Sequence, residues 1–204
     1  MAAVKASESD ASVLFHEAAR AVQCWRLLLS MSLNLQSNDF ELFGLRPRFE
    51  VDRAALDERW KTLQREVHPD RHATADAQSQ RQAMQWSVRI NEAYQRLKDP
   101  LKRAAYLCEL NGAPIEAENN TAMPAEFLMQ QMAWREGLDE ARDMVELERM
   151  ADEVAAARRS MLQGLQTTAD TQRDWPALAR QVRALMFVER FASDVENRIE
   201  LLGQ

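Results

Sequence analysis

Apolar residues along this chain recur at helical spacing. Leu56, Trp60, Leu63 and Val67 stand at i, i+4, i+7 and i+11, one stripe of a single helix. Asp52 offers a side-chain acceptor to the first free N–H groups of that helix. His68 precedes Pro69, and a residue before proline avoids the α region, so the helix stops there. A long polar helix follows over about 76–98, with Ile90, Tyr94 and Leu97 turned inward, until Asp99-Pro100 breaks it. A shorter helix, 101–110, ends at Asn111-Gly112. Upstream, Gln36-Ser37-Asn38-Asp39 opens a short apolar helix that Gly44 and Pro47 close.

Residues 113–124 hold two prolines, an Asn pair and several acids, the composition of a linker. Pro124 then suits the first turn of a helix beginning near Ala125. Two more helices are expected at about 143–166 and 174–202, separated by polar 167–174. At 100° per residue, Phe127, Trp134, Leu138, Ala141 and Val145 fall within about 60°, enough for one buried stripe. Leu128 and Met132 lie about 100–140° from its middle, with Arg135 and Glu136 at the rim. A helix of a small three-helix bundle rarely needs two apolar faces, so the second is a candidate protein-binding patch. In the last helix Leu178, Val182, Leu185, Val188, Ala192, Val195 and Ile199 form a slowly drifting stripe. Phe187 points about 180° from Leu178, off that stripe.

Composition narrows the fold class. Only 5 Gly and 6 Pro occur in 204 residues, too few for the frequent turns of a sandwich or barrel, so an all-α fold is expected. The net charge of −6 argues against nucleic acid as a partner. Charge is also uneven: 3 basic and 3 acidic groups in 1–37, 13 and 12 in 38–112, 10 and 17 in 113–204. Cys24 and Cys108 are far apart and form no C-x-x-C pair, so both read as buried thiols of a reducing compartment. The apolar run Leu27–Leu29 is too short to span a bilayer and lacks the flanks of a secretory signal. A cytoplasmic protein with no membrane partner is expected. Residues 1–37 form either an N-terminal extension with a helical stretch from Val13 to Leu33 or a misassigned start, with Met31 the alternative.

The chemistry concentrates in one tripeptide. In His68-Pro69-Asp70 the proline fixes its own φ and restricts its neighbour, so imidazole and carboxylate sit on a stiff bend between two helices. Read as metal ligands, His68, Asp70 and His72 have a tempting spacing, but Pro69 breaks the helix that would align the two imidazoles. A metal-dependent hydrolase is therefore the weaker reading. No Gly-rich phosphate loop or nucleophile elbow is present, and neither enzymatic activity nor a cofactor is expected.

Those residues stand in a telling frame. The apolar stripe and the basic Lys61 and Arg65 precede the loop. Ile90-Asn91-Glu92-Ala93-Tyr94, Leu97, Asp99-Pro100, Arg103 and Tyr106 follow it. The stretch from Asp39 to about Leu110 resembles the J-domain of DnaJ-type co-chaperones. That resemblance implies a helical hairpin whose loop and basic face dock on a DnaK-class chaperone and stimulate its ATPase. With Phe40-Glu41-Leu42-Phe43-Gly44-Leu45, Leu63-Gln64-Arg65 and Phe127-Leu128-Met129, the chain resembles the HscB family of iron–sulfur cluster assembly over about 165 of its 204 residues.

What the resemblance implies is a J-domain at 38–112, a linker at 113–124 and a three-helix scaffold-binding domain at 125–204. The partners implied are a DnaK-class ATPase of the HscA type and a scaffold of the IscU type, the chain itself being a monomer. Chaperone docking falls on His68, Pro69, Asp70, Lys61, Arg65 and Arg71. Scaffold binding falls on Leu128, Met129, Met132, Arg135, Glu136 and Phe187. The extension lacks the cysteine pairs of eukaryotic relatives, which favours the bacterial type. Two departures stand out: Glu66 is an acid on the chaperone-facing helix, and Ala133 replaces an acid frequent on the scaffold face.

Overall fold

The computed structural model describes residues 34–68, 76–116 and 123–203. Cys24, the apolar residues of the extension, and Pro69, Asp70, Arg71 and His72 lie outside them. Seven α-helices and one π-helical turn make up the described chain, with no strand among the described residues. They form two compact units, residues 34–46 with Asp52–Gln95 and Pro47–Val51 with 96–203.

In the first unit, α1 (Asp39–Leu42) begins with a capping box: the Asn38 side chain accepts from the Glu41 N–H, and the Glu41 carboxylate accepts from the Asn38 N–H. Gly44 follows at φ +67°, a left-handed turn that side chains resist. Asp52 caps α2 (Arg53–Val67) by accepting from the Ala54 and Ala55 N–H groups. The third helix, α3 (Ala77–Lys98), starts on Asp76, whose carboxylate accepts from the Gln78 and Ser79 N–H groups. These bonds, those from Ser79 foremost, hold the Asp76 carboxyl below its usual range. Helices α2 and α3 run antiparallel: Arg53 reaches the Tyr94 hydroxyl while Gln64, later in α2, reaches Ser87, earlier in α3. Leu56, Leu63, Val67, Trp86, Ile90 and Tyr94 are buried along the seam. Trp60 is half-buried, stacked 4.7 Å from Tyr94, with its indole N–H on the Asn91 carboxamide. Asp39 is fully buried and pairs with Arg89 at 2.6 Å.

The second unit is a helical bundle. Asp99 caps α4 (Pro100–Leu110), Asp143 caps α6 (Met144–Gln166) and Asp174 caps α7 (Trp175–Leu202), each through backbone N–H groups. Between them α5 spans Ala125–Glu140. A Cβ placed on Gly137 of α5 would lie 2.8 Å from the Met150 Cε of α6, so the Met150 side chain packs against the space this glycine leaves. Helix α4 packs on α7, burying Ala104, Leu107 and Cys108 completely. Burial drives the Cys108 thiol up to about 12, so it stays protonated. By contact, then, α4 sides with the bundle, although the motif reading runs the J-domain through to Gly112. Asp99-Pro100 and Asn111-Gly112 mark where that helix starts and stops, not which neighbour takes its apolar face.

The polar connection after α6 is a π-helical turn, Thr167–Gln172, ended by Arg173 at φ +54°. It presents Asp170, whose two carboxylate oxygens accept from the Phe49 and Glu50 N–H groups at 2.7 and 2.9 Å. Arg103 lies over the Phe49 ring and donates to the Leu97 carbonyl.

One sequence expectation fails here. Val145 is 72% exposed, whereas Trp134 and Ala141 of the expected stripe are buried and Phe127 and Leu138 half-buried. Helix α5 ends at Glu140 and α6 starts at Met144. A 100° phase does not carry through the break, so Val145 belongs to another helix with its own inward stripe.

Candidate partner-binding surfaces

The first surface is the outer face of α2. His68 is its exposed C-cap at ψ 128°, the extended backbone that the following proline imposes. Counted at 100° per residue, Glu58, Lys61, Arg65 and His68 share an arc of about 80°, opposite the buried Leu56, Leu63 and Val67. Lys61 and Arg65 are exposed. The Lys61 ammonium pairs with Glu58 at 2.7 Å, and that hydrogen bond raises the lysine's pKa and lowers the glutamate's. Glu58 escaped the sequence reading, although its i, i+3 spacing to Lys61 is a known helix pairing. Pro69, Asp70 and Arg71 lie outside the described residues, so of the six residues expected to dock the chaperone three are placed.

The second surface belongs to α5 and α7. Leu128 is 49% exposed, Met129 70%, Met132 62% and Phe187 41%, while Trp134 and Phe191 beneath them are buried. Arg135 and Glu136 are also exposed. Trp134 of α5 donates to Glu153 of α6, and Gly137 faces Met150, so α5 and α6 are antiparallel. The π-turn and the Arg158–Glu189 pair make α6 and α7 antiparallel in turn. Helices α5 and α7 thus run the same way, and the Trp134–Phe191 stack at 5.4 Å sets their register. Four residues earlier on each helix stand Gln130 and Phe187. Phe187 is therefore level with Gln130, which Leu128 and Met132 bracket. Met186, 41% exposed, adds a further thioether that the stripe analysis did not single out.

Among the described residues no helix is long and apolar enough to cross a membrane. No group of three His, Cys, Asp or Glu among them is arranged to hold a metal.

A family model described as the HSCB C-terminal oligomerisation domain matches residues 123–196. The chain is 50% identical over 157 residues to a co-chaperone protein HscB homolog of Bordetella petrii, an alignment covering 76% of this chain and 92% of that protein. The chain belongs to the HscB family of co-chaperones. Its structure is similar to chaperone HscB from Vibrio cholerae, with TM-score 0.71, 38% identity, and 81% and 99% of the two chains covered. It is similar also to human co-chaperone HscB, with TM-score 0.74, 27% identity and 83% of each chain covered. As an HscB protein the chain is a J-domain co-chaperone of iron–sulfur cluster assembly, its J-domain joined to a C-terminal helical bundle. Such a protein works with an Hsp70-type chaperone and a scaffold protein.

Proposed function

We propose that this HscB protein captures an IscU-type scaffold on Leu128, Met129, Met132 and Phe187, with Arg135 and Glu136 at the rim. It presents the scaffold to an HscA-type chaperone, a member of the DnaK class, by docking His68, Pro69, Asp70, Lys61, Arg65 and Arg71. The ATP is hydrolysed by the chaperone; the co-chaperone supplies no reacting group and no cofactor, and acts in the cytoplasm. One chain carrying both surfaces turns the second encounter into an intramolecular one at high effective concentration. Scaffold and J-domain, bound together, then favour the same hydrolysed state of the chaperone.

The observation that supports this reading best is the apolar cluster at Leu128, Met132 and Phe187, left exposed by a bundle whose core is complete without it. Apolar anchors that become desolvated on binding act as hot spots worth about 2 kcal/mol or more each. The variant Leu128→Ala/Met132→Ala/Phe187→Ala is expected to fold normally and still stimulate the chaperone's basal ATPase. Its affinity for the scaffold should collapse in titration calorimetry, and with it the scaffold's further stimulation. Unchanged affinity in that variant would sink the surface.

A further inference from the structure

Gln131 is only 9% exposed, yet its amide nitrogen has no hydrogen-bond partner among the described residues. Buried amides are normally paired, because an N–H taken from water without an acceptor costs stability. The polar groups nearby are engaged elsewhere. The Glu153 carboxylate accepts from the Trp134 indole at 2.7 Å and from the Gln130 amide at 3.5 Å. Other unpartnered buried atoms of the bundle differ in kind. Arg183 still donates through its Nη1 to the Ile115 carbonyl, and on the half-buried Gln181 it is the carbonyl oxygen that lacks a partner.

Position is what sets Gln131 apart. On α5 it lies about 60° from Trp134 on one side and about 60° from Leu128 on the other, at the edge between the core and the exposed apolar cluster. It is also within one residue of Gln130, the level of Phe187 on α7. A glutamine has three side-chain torsions, and no hydrogen bond of the amide nitrogen holds this one inward.

We infer that the Gln131 amide N–H is the polar anchor of the scaffold site: it turns outward when scaffold covers Leu128, Met132 and Phe187, and donates to a backbone carbonyl of the scaffold. A neutral acceptor fits, since a carboxylate buried among Leu, Met and Phe would itself need a charge partner. A single directional bond inside an apolar patch fixes the partner's register, which methionine and leucine contacts alone leave loose. This inference rests on the scaffold-surface reading above.

The test is calorimetric titration of purified IscU-type scaffold into full-length Gln131→Met, which keeps length and apolar volume but removes the N–H. The melting temperature should hold or rise, and affinity should fall about tenfold, the loss equivalent to 1.4 kcal/mol. In Gln131→Glu, an acceptor in place of the donor, the loss should be larger. Wild-type affinity in either variant overturns the inference. So does a Gln131→Met protein that melts several degrees lower, because the amide would then be a structural element of the free bundle. The triple Ala variant separates the two levels. If it loses scaffold while Gln131→Met binds as wild type, the surface stands and the anchor falls; if both bind as wild type, the surface itself falls.

Discussion

The two proposed partner surfaces use opposite physics. The α2 face is charged and hydrated, and its Lys61 is already paired within the helix to Glu58. Its reach is long but screened, over about 8 Å at physiological ionic strength. The α5–α7 face is apolar and rich in methionine, worth little until water is expelled and a good deal afterwards. A co-chaperone that must let go of its ATPase each cycle is served by the first kind, which gives fast encounter and modest residence. One that must carry a client needs the second, whose strength lies in slow dissociation.

The contrast breaks most sharply at His68. His68→Gln should abolish ATPase stimulation in single-turnover assays while leaving scaffold affinity and melting temperature unchanged, because His68 is exposed beyond the last turn of α2. Stimulation at the wild-type level would remove the charged surface's main support. Next comes a pair of phenylalanines one turn apart. Phe191 is 3% exposed and stacked on Trp134, so Phe191→Ala should cost about 3–5 kcal/mol in denaturant unfolding. Phe187→Ala should stay within about 0.5 kcal/mol in stability and lose about 2 kcal/mol in scaffold binding. Equal stability losses would mean that Phe187 is core.

Whether these assignments were legible without coordinates depends on distance along the chain. Asp52, Asp99, Asp143 and Asp174 announce helix starts within three residues, and the structure uses all four as caps. The exposure of Leu128, Met132 and Phe187 followed from phase within a single helix. Val145 was misplaced because phase was carried over a helix break. Phe191 escaped notice because a stripe read as Val188–Ala192–Val195 hid a ring that only the packing of α5 on α7 turns inward. Phase alone puts Gln131 beside the buried stripe but does not tell that its amide nitrogen lacks a partner, and nothing local tells that Asp170 receives the N–H groups of residues about 120 positions earlier.

Two smaller effects sharpen the picture. Charge reversal at Lys61 and Arg65 should weaken chaperone docking several-fold at low salt and little at high salt, whereas the salt response of scaffold binding, confined to its Arg135 and Glu136 rim, should be the same in both proteins. Wild-type docking of equal strength at low and high salt would mean that these residues only solvate their helix. Asp76→Ala should lower stability slightly, because the first free N–H groups of α3 lose their acceptor. The Asp76 carboxyl has a lowered pKa in the folded chain, so its contribution is complete above the unfolded value near 3.8 and fades as pH falls through the folded one. Parallel stability curves for wild type and Asp76→Ala across that window would contradict this.

The Asp170 clamp on Phe49 and Glu50 has a consequence for synthesis. At about 5–20 residues per second, Asp170 is made roughly 6–24 s after Phe49, 121 positions behind it. All residues of the first unit have been added once Gln95 is made. The α2–α3 hairpin is therefore free to mature while the ribosome is still extending the bundle. The Phe49 and Glu50 N–H groups wait for their acceptor until the chain has passed Asp170 in the π-turn, so the second unit is finished last.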